Sequence, residues 1–330
     1  MSELNVLMQC SDYYAPFCGV ALQSLLQNNE EIGYINIYLI SDNISKDNLI
    51  KFHDMIHKFK RNLSVIDGSI IEKILVSAKV PKYHESYTTY YKLFSLQLIE
   101  ENIEKLLYLD SDIIINGSLK ELVELDMKNY TLAMTLDWMN ETYKKILHIV
   151  GNYYNGGVIL FNLRKWHSEK WNERILQHLK CTKSNYFYAD QDLLNILINK
   201  DILRLDMKWN LNTDFLNLNQ YELMKKAYDL KIYYDKKEFE NTINNPIIYH
   251  FCFGATVSRP WFLYSRHPLE KIWDKYLLES PWKGYTKERE RMSLLHKAQR
   301  VLYNFLPLHV FAEMNNICTK LLLLTRQLRS

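Results

Sequence analysis

Short apolar runs alternate with segments of helical periodicity along the first third of the chain. The apolar runs predict β-strands at 4–9, 35–41, 63–67 and 105–110. Between them, apolar positions recur three and four residues apart, which predicts helices over 16–28, 42–60 and 88–99. Strands that alternate with helices in this way indicate an α/β fold with a mostly parallel central sheet flanked by helices.

The same pattern continues beyond residue 130. An apolar run over 131–138 predicts a strand that ends at Asp137, and 154–166 predicts a glycine-containing bend, a strand and the start of a helix. A further helix is predicted from Asp190 to Lys200, and a late strand over 245–251. Ligands of such sheets bind beyond the carboxyl ends of the strands, so the polar residues found there are the candidates for a site.

Two amphipathic helices are predicted in the last fifty residues. Their apolar positions are Leu294, Leu295, Ala298, Leu302 and Phe305 in one and Ile317, Leu321, Leu322, Leu324 and Leu328 in the other. Residues 281–330 hold nine Lys/Arg and three acidic residues, a charge of +6, which leaves −3 for residues 1–280 within the total of +3. We therefore predict one domain over 1–280 and a basic helical extension over 281–330. The extension either docks on an anionic membrane surface or packs on the body or on a second subunit.

The cysteine pattern and the N-terminal residues give indications of the cellular compartment. The five cysteines form no CxxC pair, which argues against a disulfide framework or a zinc site and favours a reducing compartment. The N-terminal residues are typical of a first strand, not of a signal peptide, and no apolar stretch is long enough to predict a spanning helix. We expect a cytoplasmic protein, peripheral on the inner face of the cytoplasmic membrane if the tail docks there. The sequence does not indicate an oligomeric state.

The most informative segment is 104–115, where an apolar strand runs into Asp110 and Asp112. Residues i and i+2 of an extended backbone point to the same side, so both carboxylates face one spot. Two like charges held so close repel each other unless a cation lies between them. Oxygen ligands suit Mg²⁺ or Mn²⁺. The alternative interpretation is a strand end followed by an Asp-rich turn.

Several segments in a fixed order resemble glycosyltransferase family 8. They read TTYYKL, KLLYLDSDIIING, LDW, YNGGVILFNLRKW, ADQDLLN and YHF…G…RPW, between about residues 4 and 262. The family consists of retaining enzymes of the GT-A (Rossmann-like) fold that use nucleotide-sugar donors. The resemblance implies a hexosyltransferase that moves glucose or galactose from a UDP-sugar to a glycan, lipooligosaccharide or glycoprotein acceptor.

The resemblance also implies the metal site and the reacting groups. His250 matches the third protein ligand beside Asp110 and Asp112, and the mixture of carboxylate and imidazole favours Mn²⁺, with Mg²⁺ as the alternative. Asp190 and Gln191 match the turn near the anomeric carbon, although acidic residues in a first helical turn also interact favourably with the helix dipole. An amide is a poor nucleophile, so attack by the acceptor on the departing side is the mechanism that we expect.

The remaining matched positions are expected to bind the donor. Tyr14 matches an aromatic that stacks on uracil, although a packing role at the helix entry is equally open, and Lys92 stands where the family usually has arginine. Arg259 replaces the usual lysine after a loop about three residues longer than in the family. The full donor-binding set is Gln9, Ser11, Asp12, Tyr14, Lys92, Ser111, Asp137, Asn155, Gly156, Gly157, Gly254 and Arg259.

Two other classes of protein share part of this pattern. Phosphatases of the haloacid-dehalogenase type also place an Asp-x-Asp after an apolar strand, but theirs lies near the N-terminus, and Ile114 replaces the usual Thr or Val. A non-catalytic sugar-binding protein on the same fold would not need Asp110, Asp112, His250 and Gln191 together. Nucleic-acid binding is not expected, because the body is acidic and the basic charge is confined to the tail.

Overall fold

The computed structural model describes residues 3–181, 186–252 and 256–327. Two sheets organise it. Ten strands are described: β1 Glu3–Ser11, β2 Tyr34–Asp42, β3 Asn62–Asp67, β4 Lys105–Leu109, β5 Ile113–Ile115, β6 Leu132–Leu136, β7 Tyr154–Asn162, β8 Ile202–Arg204, β9 Leu211–Asn212 and β10 Ile248–His250.

Helices cover the sheets and connect the strands. They are α1 Ala15–Gln27, α2 Lys46–Lys58, α3 Gly68–Ser77, α4 Tyr91–Phe94, α5 Lys120–Val123, α6 Glu141–Ile146, α7 Leu163–Ser168, α8 Trp171–Cys181, α9 Ala189–Leu197, α10 Tyr221–Tyr228, α11 Lys236–Asn244, α12 Glu270–Glu279, α13 Leu294–Phe305 and α14 Leu308–Gln327. Short 3₁₀ turns flank α4 on both sides.

The large sheet has seven strands in the order β3-β2-β1-β4-β7-β6-β8. Neighbouring strands are parallel except for β7, which is antiparallel to both β4 and β6. The sequence-based fold class, α/β with a mostly parallel central sheet, is therefore confirmed. The predicted bend at Gly156 and Gly157 is wrong, because both glycines lie inside β7.

A second sheet of three short strands, β5-β10-β9, positions the late motif. Strand β10 is antiparallel to β5, with His250 opposite Ile113, and parallel to β9. The sequence pattern did not predict β5, β8 or β9, because two or three residues are too few to show a periodicity.

The C-terminal helices pack on the body. Helix α14 contacts α10 and α6, and it buries Phe311, Ala312 and Leu323. On α13 the apolar residues face two ways: Leu302 packs against the core, whereas Leu294 and Phe305 are 83% and 82% exposed. Among the helices of the described residues, none combines the length and apolar character that crossing a bilayer requires.

Candidate active site

Asp110, Asp112 and His250 come together at the carboxyl end of β4. The Nε2 atom of His250 lies 3.5 Å from Oδ2 of Asp110 and 3.3 Å from Oδ1 of Asp112. The backbone amide of Phe251 donates to the carbonyl of Asp112 at 2.9 Å, so the pairing of β10 with β5 fixes this approach. One ligand atom of each residue falls within 4.8 Å of the others, which is the spacing that a single cation requires.

The hydrogen bonds behind His250 leave its Nε2 atom facing the carboxylates. Oδ1 of Asn155 accepts from the amide of Gly157 at 2.9 Å, so the Nδ2 group of Asn210, 2.7 Å away, must donate to the same oxygen. Oδ1 of Asn210 then faces Nδ1 of His250 at 2.9 Å, and Nδ1 must be the donor. Such a partner behind the ring fixes the tautomer that a metal ligand needs.

Opposite charges stabilise one another within the cluster. Burial disfavours an imidazolium, yet Cys252 and the Asp112 carboxylate raise the pKa of His250 well above its ordinary value. Burial opposes ionisation of Asp112, but His250 and Arg259 lower its pKa. The guanidinium of Arg259 lies 3.3 Å from Oδ2 of Asp112, so this residue reaches the cluster.

Gly157 lies against the cluster where a side chain would not fit. A Cβ atom at this position would lie 2.8 Å from Nδ1 of His250 and 2.9 Å from Oδ2 of Asp110, and would collide with Cε1 of the histidine. Its carbonyl also accepts from the amide of Asp110 at 2.8 Å. Two carboxylates and one imidazole form a donor set that suits a divalent cation such as Mn²⁺. The missing side chain at Gly157 leaves these groups room to approach one another.

Lys92 is the buried cation at the centre of the site. Its Nζ atom lies 2.7 Å from Asp190 and 3.7 Å from Asp110, and it donates to the carbonyl of Gly156 at 3.0 Å. Burial lowers the pKa of Lys92, but the carboxylates of Asp190 and Asp110 outweigh burial and raise it. Thr89 donates to the other oxygen of Asp190 at 2.8 Å. Asp190 therefore orients the lysine and does not cap its own helix.

Hydrogen bonds to both the oxygen and the nitrogen of its side-chain amide fix the orientation of Gln191. Its Oε1 accepts from the amide of Gly156 at 2.7 Å, and its Nε2 lies 3.1 Å from Asp137 and 3.2 Å from the hydroxyl of Tyr153. Asn155 donates to the same oxygen of Asp137 at 2.7 Å. The other oxygen, Oδ1, is buried and has no hydrogen-bond partner within the described residues. Burial raises the pKa of Asp137 to about 7.

Asp192, which the sequence did not single out, holds the start of α9. Its carboxylate accepts from the hydroxyls of Tyr143 and Tyr153 and from the backbone amides of Phe187 and Tyr188, the amides at 3.0 Å each. The hydroxyl of Tyr153 in turn contacts Gln191, so Asp192 fixes the orientation of that amide through the tyrosine.

A cavity of about 500 Å³ opens beside Asp110 and Asp112. Gln9, Ser11, Tyr14, Ser111 and Lys92 line it together with Asp110 and Asp112. Tyr14 also packs edge to face on Phe17, with ring centroids 5.3 Å apart, so the binding and packing interpretations are compatible at this residue. A chamber of this volume that is lined by ionisable side chains suits a polar ligand.

Of the described residues in the predicted donor-binding set, those that do not line this cavity are Asp12, Asp137, Asn155, Gly156, Gly157 and Arg259. Oδ1 of Asp12 accepts from the amide of Ser45 and from Nδ2 of Asn48, both at 2.8 Å, and these hydrogen bonds lower the pKa of Asp12. Asp12 is thereby tied to the start of α2, and its role in donor binding stays a prediction. Gly254 lies outside the described residues.

Sequence reasoning missed several residues of the site. Asp42 ends β2 and lines the cavity, and burial, with the nearby Glu72, raises its pKa. Tyr108 donates to Asp110 at 2.7 Å. Asp42 could have been identified from the sequence, because it is a polar residue directly after the strand predicted at 35–41. Asn210 carried no signal, because only the pairing of β9 with β10 brings it near His250.

Comparisons with known proteins show which family the chain belongs to. The model of the family "Glycosyl transferase family 8" matches residues 5–263. General stress protein A of Bacillus subtilis is 24% identical over 286 residues, which cover 85% of this chain and 95% of that protein. Lipopolysaccharide 1,2-glucosyltransferase of Escherichia coli K12 is 27% identical over 302 residues, covering 90% and 84%.

Solved structures show the same fold. The crystal structure of the galactosyltransferase LgtC in complex with donor and acceptor sugar analogues superposes with a TM-score of 0.64 at 20% identity, covering 90% of this chain and all of that one. The fold is thus the GT-A-like fold expected from the sequence. Because the family model spans most of the chain, the protein belongs to glycosyltransferase family 8 and is a glycosyltransferase.

Proposed function

We propose that the protein is a metal-dependent retaining hexosyltransferase that moves glucose or galactose from a UDP-sugar to a glycan, lipooligosaccharide or glycoprotein. The observation that carries the proposal is the cluster of Asp110, Asp112 and His250 at the edge of a 500 Å³ cavity. A nucleoside diphosphate is elongated and anionic, so its base and ribose fit the cavity while its phosphates meet the cationic groups. Family membership sets aside the phosphatase and the non-catalytic alternatives.

The relatives support the substrate class. One relative is named as a glucosyltransferase of lipopolysaccharide, and the LgtC structure is named as a galactosyltransferase with donor and acceptor sugar analogues. We infer a hexose donor and a carbohydrate acceptor for this chain from those two names. Uracil would pack on Tyr14, and the backbone at Ser11 and the side chain of Ser111 would contact the nucleoside.

Asp110, Asp112 and His250 would hold the cation, for which Mn²⁺ suits the mixed oxygen and nitrogen donors better than Mg²⁺. Bound there, a divalent cation supplies Lewis-acid neutralisation of the charge that develops on the departing diphosphate. Lys92 and Arg259 add fixed positive charge on either side of the carboxylates, at 3.7 Å from Asp110 and 3.3 Å from Asp112. Asp137, Asn155 and the backbone of Gly156 would bind hydroxyls of the sugar.

The hydrogen bonds of Gln191 favour transfer without a covalent intermediate. Its carbonyl oxygen is engaged by the amide of Gly156, so the one weakly nucleophilic atom of the side chain is already used. Retention then follows if the acceptor hydroxyl attacks the anomeric carbon from the side on which the phosphate leaves. The bond to the phosphate oxygen breaks, the new glycosidic bond forms, and the hydroxyl proton goes to the departing UDP.

We further propose that α13 attaches the enzyme peripherally to the inner face of the cytoplasmic membrane. Leu294, Ala298, Val301 and Phe305 recur at helical spacing and are exposed. Part of the basic charge of the tail is neutralised internally, since Arg300 pairs with Glu290 and Lys320 with Asp229. Insertion of apolar side chains therefore contributes more to this docking than charge does.

A screen of UDP-glucose, UDP-galactose, UDP-N-acetylglucosamine and GDP-mannose for nucleotide release tests the activity. We expect UDP release from one or both of the UDP-hexoses, stimulated by Mn²⁺ and abolished by EDTA. Release of phosphate from phosphomonoesters without UDP release from any sugar nucleotide would contradict the proposal.

The variant Asp112→Asn tests the metal site in the same assay. We expect loss of Mn²⁺-stimulated UDP release by about 100-fold or more with unchanged circular dichroism, because one of the three ligands loses its charge. The matched control is Asp54→Asn, since Asp54 is an exposed carboxylate on α2. Equal activity of Asp112→Asn and the wild type would remove the metal hypothesis.

A further inference from the structure

The wall of the 500 Å³ cavity holds a third carboxylate besides those of Asp110 and Asp112. It belongs to Asp42, which ends β2, whereas the other two follow β4. Strand β1 lies between β2 and β4 in the large sheet, and Ser11 at the end of β1 is in register with Asp42. Neighbouring strands are about 4.8 Å apart, so Asp42 lies about 10 Å from the strand that carries the acidic pair.

No cation of the described residues pairs with the carboxylate of Asp42. One long hydrogen bond reaches it, from Nδ2 of Asn43 to Oδ1 at 3.4 Å, and within the same residues Oδ2 accepts none. The side chain is partly buried, and burial, together with the nearby Glu72, raises the pKa of Asp42. A partly buried acceptor with so few partners favours a ligand that brings a hydrogen-bond donor.

Asp12, the acidic residue that the sequence placed in the donor site, is already engaged elsewhere. Its Oδ1 accepts from the amide of Ser45 and from Nδ2 of Asn48, both at 2.8 Å, and so ties the end of β1 to the turn between β2 and α2. Asp42 lies at the start of this turn and lines the cavity. The two acidic residues thus differ: Asp12 fixes the turn, and Asp42 remains available to a ligand.

The order of the strands indicates which part of a nucleotide would reach Asp42. Phosphates bound beside Asp110 and Asp112 would place the nucleoside across the end of β1, where Ser11 and Tyr14 line the cavity. The ribose lies between the phosphates and the base, so the base is the part nearest to β2. An ionised carboxylate only accepts hydrogen bonds. Uracil offers it the N3–H of its imide, whereas N3 of cytosine carries a lone pair.

We infer that Asp42 selects the base of the donor: its carboxylate accepts a hydrogen bond from N3–H of uracil and repels the N3 lone pair of cytosine. The inference rests on the proposed transfer from a UDP-sugar and assigns the choice of nucleotide to one residue. A site built to accept from a ligand N–H discriminates against an analogue without that hydrogen, because the polar group of the site is then left unpaired.

Isothermal titration with UDP and with CDP, both in the presence of Mn²⁺, tests the role of Asp42. The two nucleotides share their ribose and phosphates, so the ratio of their affinities reports contacts to the base. Asp42→Asn can accept from N3 of uracil or donate to N3 of cytosine, and Asp42→Ala can do neither. The matched control is Asp47→Asn, since Asp47 is an exposed carboxylate in the first turn of α2 that does not line the cavity. Thermal unfolding checks that each variant is folded.

We expect the wild type and Asp47→Asn to bind UDP at least about tenfold more tightly than CDP, and both Asp42 variants to prefer UDP by less than about threefold. A general disturbance of the site would weaken both nucleotides and leave the ratio unchanged. An unchanged ratio in either folded Asp42 variant, or no preference in the wild type, would overturn the assignment.

Release of UDP from a UDP-hexose by the wild type reports the proposed function separately. Its absence, with no binding of UDP, would contradict both that function and the inference. UDP release together with an unchanged ratio in the Asp42 variants would contradict only the role of Asp42.

Discussion

At the scale of single residues, the space at Gly157 and the burial of the Asp137 carboxylate are two features of the site whose effects can be tested. Gly157 has no side chain because His250 and Asp110 occupy the space where a Cβ atom would lie. Asp137 is held in a buried network that satisfies one of its oxygens, whereas the other has no partner among the residues that the structure describes. Each of these two residues leads to a prediction that does not depend on the identity of the substrate.

Gly157→Ala is expected to weaken Mn²⁺ binding by about tenfold or more, because the added methyl group displaces His250 or Asp110. Isothermal titration of the metal-free protein with Mn²⁺ measures this. The matched control is Gly284→Ala, where an added Cβ atom would have no atom of the described residues within 4 Å. Equal affinities in both variants would show that the cluster is not the metal site.

The raised pKa of Asp137 predicts a pH-dependent stability in the donor-free protein. With a pKa of about 7 when folded and 3.8 as the ordinary value, the folded state binds the extra proton between these pH values. Its contribution to stability is therefore complete below about pH 4 and is lost as pH rises through 7.

Between pH 5 and pH 8 this contribution falls by up to about 2.5 kcal/mol in the wild type and is absent in Asp137→Asn. Urea unfolding of both proteins at the two pH values measures the difference. A wild type and a variant that lose stability in parallel would contradict the assigned shift.

At the scale of secondary-structure elements, the strand β10 positions a residue of the candidate site, and the helix α13 exposes an apolar surface. Strand β10 has three residues, yet its pairing with β5 and β9 sets His250 beside Asp112 and beside Asn210. Helix α13 packs Leu302 inward and leaves a second apolar stripe exposed. One helix thus packs against the body on one side and leaves an apolar surface exposed on the other.

Replacing Leu294 and Phe305 together by serine is expected to lower partitioning into anionic phospholipid vesicles by about tenfold or more. Burial of each apolar side chain contributes roughly 1.5 to 3 kcal/mol, so the loss of two exceeds the effect of one charge. Vesicle sedimentation measures it, with Tyr264→Ser as the control, since Tyr264 is an exposed ring outside the helix pair. Unchanged partitioning of the double variant would indicate that the stripe does not meet the membrane.

At the scale of the whole molecule, the proposed metal site joins distant parts of the chain. Asp110 and Asp112 follow β4 of the large sheet, whereas His250 ends β10 of the small sheet. The three ligands are close only when both sheets are formed and packed together. A cation at the cluster must therefore stabilise the folded protein as a whole.

Mn²⁺ is accordingly expected to raise the melting temperature of the wild type, by several degrees at a concentration about 100-fold above its dissociation constant. Differential scanning calorimetry with Mn²⁺ and with EDTA measures the shift. Asp112→Asn should show little or none of it, and an equal shift in that variant would place the cation elsewhere.

Strong local patterns made much of the fold and part of the site predictable. The apolar runs of β1, β2 and β4 are long enough to identify strands, and Asp110 and Asp112 belong to one of those patterns. Asn210 and Asp192 could not be found in this way, because their roles depend on partners far away in sequence. The glycines of β7 were misread as a bend, because glycine in a strand also marks a close approach of another group.

The sequence by itself determined the fold class, the family and the acidic pair, since strand periodicity and an ordered set of motifs are local properties of the chain. Only the tertiary structure decided which nitrogen of His250 faces the carboxylates, that Arg259 reaches Asp112 and that α14 packs on α10 and α6. These features arise from side chains that meet across elements. Their distances are set by packing and strand register, which no local pattern encodes.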